Sequence, residues 1–211
     1  MKKIAILIIT FLPIVYAASS QNLNITLGAN LPYPGQPLAN IWGYVDTVGN
    51  EYALVGAANG LSIVNVTNPN APFQVIQIPG PVSDWREIRT WGPYAYVTSE
   101  GGGGLQIVDL RNLPGTNLPA INWNPVISGT TLTTIHALHI DAGKIYLYGS
   151  NVGSGGILIA SLTNPVSPVY LGRYNVDYVH DGFVRNNKCY AGRIYAGECS
   201  VIDVSTPATP T

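Results

Sequence analysis

One strand–turn–strand unit is written four times along this chain, and that repetition limits its fold more than any other feature. Each copy opens on a short apolar strand pattern: YALVG from Tyr52, YAYVT from Tyr94, KIYLY from Lys144 and KCYAG from Lys188. A turn follows, mostly rich in Gly and Asn, and then a second strand pattern, LSIVNV, LQIVDL, ILIASL or CSVIDV. Three copies close on Asn-Pro or Thr-Pro (Pro69, Pro165, Pro207), and the second closes on Leu-Pro at Pro114. The copies start 42, 50 and 44 residues apart. A period in the forties made of short strands is the signature of propeller blades or a related β array, because one such unit cannot bury its apolar faces alone and must stack on its neighbours. No segment carries a helical apolar period over eleven or more residues.

The expected fold is therefore all-β, a β-propeller-like array of four blade units. Blade 1 is expected over residues 39–80, blade 2 over 81–128, blade 3 over 129–175 and an incomplete blade 4 over 176–211. Ahead of them, residues 18–38 form an N-terminal segment, in which 22–28 (NLNITLG) reads as a lone strand similar to VYLGRY and FQVIQI. The last unit lacks its outer strand. Two architectures remain open: a four-blade ring closed by residues 22–28, or the N-terminal part of a larger ring. The last unit does not diverge as a terminal cap would, which favours the larger ring.

Residues 1–17 read as a signal peptide. Lys2 and Lys3 precede the apolar run 4–16, and Val15-Tyr16-Ala17 fits cleavage after Ala17. The run is too short for a transmembrane helix and holds Pro13, so no membrane span is expected in the mature chain. The expected location is secreted or cell-surface. Cleavage lowers Lys+Arg from 10 to 8 against 11 Asp+Glu, a net charge of −3. No basic stripe remains, which argues against nucleic acid as a partner. In an oxidising compartment, Cys189 and Cys199 would flank the turn of the fourth unit, with the hairpin midpoint at Ile194, and could form a disulfide. Asn24 and Asn65 stand in N-x-S/T sequons and are candidate glycosylation sites.

Counting back from the first strand pattern of each unit puts Trp42, Trp85, His136 and His180 at one repeated position, eight to ten residues upstream. In a propeller this position and the glycine-bearing turns emerge on the same face around the axis. Trp85, Arg86, Glu87, Glu100 and Glu198 are the candidate ligand-binding residues there. His136, His180 and Asp181 are a candidate divalent-metal set, since imidazole with carboxylate suits zinc, manganese or iron. No local metal motif accompanies them, and packing or hydrogen bonding between blades is the competing role. No catalytic residue is assigned. A G-x-S-x-G elbow is absent, and Glu100 precedes four glycines without the Lys-Ser/Thr of a phosphate loop.

The runs NIWGYV, EYALVGAANGLSIVNVTNP, DWREIRTWGPYAYVTSEGGGGLQIVDLRNLP and YVHDGFVRNNKCYAGRIYAGECSVIDVSTP resemble LVIVD-repeat proteins of the choice-of-anchor B type, over about residues 22–210. The resemblance implies export and a β-propeller-like fold, and supplies no reaction. Members of that family are typically longer, with more repeats and a C-terminal anchoring module. The functional expectation is an exported, non-enzymatic module binding a protein or glycan partner at the cell surface, with no assigned cofactor. A metal-binding or metal-dependent hydrolytic propeller is the alternative.

Overall fold

The computed structural model describes residues 25–211. Among the described residues there is no helix, and all regular structure is antiparallel β. The first blade is β1 (Leu38–Val45), β2 (Glu51–Ala57), β3 (Gly60–Asn65) and β4 (Phe73–Pro79). The second is β5 (Ile88–Trp91), β6 (Tyr94–Val97), β7 (Leu105–Asp109) and β8 (Ala120–Trp123). A small unforeseen hairpin, β9 (Val126–Ile127) and β10 (Thr130–Thr131), leads to the third blade: β11 (Ala137–Asp141), β12 (Lys144–Tyr148), β13 (Ile157–Ser161) and β14 (Val169–Tyr174). The fourth is β15 (Asp181–Arg185), β16 (Lys188–Arg193) and β17 (Glu198–Asp203). In every blade the strands pair in chain order, so each blade is a meander. The chain is an all-β, propeller-like array of four blades.

Alternation of side chains along each strand gives every blade two apolar faces, and these make three interfaces. Leu54, Leu61 and Ile63 of the first blade meet Ala95, Val97 and Val108 of the second. Tyr96, Leu105 and Ile107 of the second meet Leu138, Leu147 and Leu158 of the third. Tyr146, Tyr148 and Ile159 of the third meet Val184, Cys189 and Ile202 of the fourth. The first strand of each blade lies innermost, and β1, β5, β11 and β15 neighbour one another in turn. This is the radial arrangement that brings residues distant in sequence to one rim. No helix among the described residues is long and apolar enough to cross a membrane. The expected signal peptide and Asn24 lie outside the described residues. Asn65, at the end of β3, is half-buried and its side-chain Oδ1 accepts the Thr67 amide.

Two expectations are corrected here. The described part of the lone N-terminal strand, residues 25–28, forms no ladder and does not complete the fourth blade within this chain; Ile25 and Leu27 are exposed. The expected disulfide does not form either. The turn of the fourth blade is Ile194–Gly197, with Arg193 opposite Glu198, so its centre lies beyond Ile194. Cys189 therefore opposes Ile202, and Cys199 opposes Gly192. Cys189 is buried with its sulfur 3.7 Å from the Tyr148 hydroxyl, whereas Cys199 is exposed, and both are free thiols. Burial pushes the Cys189 thiol up to about 11. A thiolate-directed reagent should thus modify one thiol per native chain, at Cys199, and reach the second only after denaturation. Peptide mapping of the labelled protein checks this; rapid labelling of both positions in the native state would contradict the burial of Cys189.

Candidate functional site

The site begins with register. Ile88, Leu138 and Gly182 oppose Val97, Leu147 and Ala191 at matching places in the second, third and fourth blades. Two residues earlier in each stand Arg86, His136 and His180. The true counterpart of the two histidines is thus Arg86, and Trp85 is displaced by one. Trp42 belongs to a different level: it opposes Leu54 as Arg89 opposes Tyr96, His139 opposes Tyr146 and Phe183 opposes Tyr190. Around the hub those four side chains lie against one another in pairs. The Arg89 guanidinium lies 4.4 Å from the Trp42 ring centroid, and the His139 and Phe183 centroids are 4.6 Å apart. His139 Nε2 is 3.1 Å from the Val184 carbonyl, and burial holds its pKa below the usual imidazole value.

Above that level, Trp85, His136 and His180 form a continuous run. The Trp85 and His136 ring centroids are 6.0 Å apart, and those of His136 and His180 are 4.1 Å apart. The main chain fixes both histidines: His136 N–H donates to the Tyr148 carbonyl and His180 N–H to that of Gly192. The hydroxyl of buried Thr98 donates to the His136 carbonyl, which ties the second blade to the third beneath the site. Glu100 reaches across with its Oε1 2.6 Å from His136 Nδ1. Its loop is shaped by Gly102, Gly103 and Gly104, at φ 111°, 84° and 73°, a region that L side chains avoid. A β-carbon at Gly104 would come within 2.7 Å of the Trp123 carbonyl, so glycine is also required sterically. Burial, reinforced by His136, holds the His180 pKa below 6.5. At neutral pH its ring is therefore uncharged and carries one acceptor nitrogen.

Beside this run lies a cavity of about 190 Å³ whose lining includes Asn40, Trp85, Glu87, His136 and Asp181. It is smaller than the roughly 300–1,000 Å³ of enclosed small-molecule sites. The geometry suits a ligand lying across the rim with one group in the cavity. Asn40 Oδ1 is buried there without a hydrogen-bond partner. Trp85 is 59% exposed, which leaves its ring free for a partner.

Of the five candidate ligand residues, Trp85 and Glu100 flank His136. Arg86 is buried and also lines this cavity, its Nε donating to the Ala57 carbonyl and its Nη2 to that of Pro81. Glu87 is buried, ion-paired with Arg89, and accepts the Leu138 amide at 2.9 Å across the blade interface. Glu198 is not gathered with the histidines; it pairs with Arg193 at 2.8 Å, and Arg193 also pairs with Asp177. The metal expectation is corrected as well. Among the described residues no group of three or more His, Cys, Asp or Glu is placed to hold an ion. The His136 and His180 rings lie against each other tilted by 51°, His136 Nδ1 is taken by Glu100, and Asp181 Oδ1 accepts the Gly182 amide. Two aromatics escaped the sequence reading. Tyr178 and Tyr195 have centroids 4.9 Å apart, and Tyr195 is exposed. The signal was the position of Tyr178, two residues before His180 on the same connection.

The fold and site define a propeller-like scaffold with a polar–aromatic rim. It carries the LVIVD repeat, matched over residues 46–77 and 84–118. No curated protein matches the chain. Among solved structures, the chain is similar to a candidate 6-phosphogluconolactonase from Bacteroides fragilis, at 14% identity and TM-score 0.54, covering 82% of this chain and 52% of that one. A periplasmic gluconolactonase from Pseudomonas aeruginosa, PpgL, follows at 12% identity and TM-score 0.48, covering 80% and 55%. The chain thus spans about half the length of each. At such identity the first similarity speaks to fold alone.

Proposed function

We propose that this protein is an exported, non-enzymatic binding module that takes a glycan on its loop-rich face. Export rests on the charged and apolar character of residues 1–17. Glycan binding rests on one observation, the exposed Trp85 ring continued by His136 and His180 with Glu100 alongside. An aromatic face offers the weakly polar C–H surface of a sugar ring a large contact, and adjacent carboxylate and imidazole groups fix its hydroxyls by hydrogen bonds. Calorimetric titration of the purified chain with glycans selected on an array should show binding, and Trp85→Ala should weaken it at least tenfold while leaving the circular dichroism spectrum unchanged. Wild-type affinity in Trp85→Ala would refute the assignment.

A second reading rests on the Glu100–His136 contact. A carboxylate that orients an imidazole can serve as part of a general base, and lactone hydrolysis is the activity named for the two similar structures. Hydrolysis of sugar lactones by the purified chain, abolished by both His136→Ala and Glu100→Gln, would favour it; turnover unaffected by either change would remove it.

A further inference from the structure

Ser83 is a polar side chain buried beneath the rim, 7% exposed. It lies on the connection between the first and second blades, two residues before Trp85. Its own main chain is anchored, since its N–H donates to the Ala58 carbonyl at 2.8 Å. A serine hydroxyl has one proton to give and two lone pairs with which to accept. All three are used here. The hydroxyl donates to the Trp85 carbonyl at 2.6 Å, accepts the Trp85 amide at 3.3 Å and accepts the Glu100 amide at 3.2 Å. Its two partners are the residues that flank His136 on the rim.

These bonds matter because little else fixes either partner. Among the described residues, no other group hydrogen-bonds the main chain of Trp85 or the amide of Glu100. Trp85 lies outside any strand and is 59% exposed. Glu100 leads into the glycine loop, which is pressed against the Ser83 connection: a β-carbon at Gly101 would stand 2.0 Å from the Val82 carbonyl oxygen. On its other side the loop is tied toward the third blade. The Gly101 amide donates to the Ser99 hydroxyl, and the Ser99 carbonyl accepts the Ile135 amide. Every residue in this frame belongs to the first three blades or to the connections between them.

We infer that Ser83 is a positioning residue of the rim. It sets the spacing between the Trp85 ring and the Glu100 carboxylate, and acts on a bound sugar only through them. The inference rests on the glycan reading above. A sugar that stacks on Trp85 while hydrogen-bonding Glu100 needs both groups in one fixed relation, held to within about 0.5 Å. A buried hydroxyl shared by the two main chains supplies that relation, because water competes poorly for its bonds there.

Two measurements on the full chain test this. In protein labelled with 5-fluorotryptophan, Ser83→Ala should shift or broaden the Trp85 fluorine resonance, assigned by its loss in Trp85→Phe. The resonances of Trp42, Trp91 and Trp123 should stay in place. In calorimetric titration with the glycan selected on the array, Ser83→Ala should bind at least fivefold more weakly than wild type. Ser83→Cys, similar in size but a weak hydrogen-bonding partner, should show both effects, and it takes the place of the alanine variant if that chain does not fold. A serine with a merely structural role would move all four resonances or none, and would leave the affinity of the folded chain unchanged; either result overturns the inference. Wild-type affinity in the Ser83 variants, with binding still weakened by Trp85→Ala, overturns this inference alone. A wild-type chain that binds no glycan overturns the glycan reading and this inference with it.

Discussion

Replacing Arg89 by leucine is expected to lower the unfolding free energy by about 3–5 kcal/mol at neutral pH, the cost of leaving a buried carboxylate without its cation. Glu87 is the carboxylate concerned. It is buried between the second and third blades, ion-paired with Arg89, and accepts the Leu138 amide. Burial already raises its pKa above 4.5, and the Arg89 charge works against that rise. Without Arg89 the folded-state pKa climbs further. A raised carboxyl pKa means the folded chain binds more protons than the unfolded one. Stability from this group is then present below the unfolded value and lost as pH rises through the folded value. Accordingly, the gap between wild type and Arg89→Leu should narrow as pH is lowered from 7 toward 5. Urea denaturation at several pH values measures this directly; a gap independent of pH would show that Arg89 acts through its packing on Trp42 alone.

Leu147→Ala is expected to cost about 3–4 kcal/mol, within the range for leucine truncation in a close-packed core. Leu147 is fully buried and packs in the cluster that joins the second and third blades. Its loss opens a void midway along the array, where both neighbouring blades are held by their own further interfaces and cannot easily collapse. For a chain of this size the melting temperature should fall by about 10 °C. Val201→Ala is the contrast: Val201 is 62% exposed, and this substitution should change the stability of the single chain by no more than about 0.5 kcal/mol. Equal effects at the two positions would mean that Val201 is not exposed in solution.

The blade architecture was legible because strand and turn chemistry recur together. Glu51, Tyr94 and Lys144 each begin a strand that the alternation of apolar residues makes double-sided. Register was not legible, since it depends on lengths that composition conceals. The first turn of blade one spans residues 46–50, whereas its counterparts are Gly92-Pro93, Ala142-Gly143 and Asn186-Asn187. A bulge between Leu38 and Ile41 adds a further offset. Counting back through these differences placed Trp42 with the histidines, although it stacks with Arg89 one level away. The expected disulfide failed for the same reason, through a turn centred past Ile194. The meeting of Trp85, His136, His180 and Glu100 could be anticipated from the radial idea. The anchoring of the Arg86 guanidinium could not, because it is decided by the nearby Ala57 and Pro81 carbonyls, which no sequence pattern announces.

The loop carrying Glu100 has a consequence for how this rim can change over time. Three successive left-handed backbone positions, one of them jammed against a neighbouring carbonyl, leave that stretch almost no tolerance for mutation. New recognition properties must therefore arise at the unencumbered aromatics, Trp85 and Tyr195, which can be exchanged without disturbing the main chain beneath them.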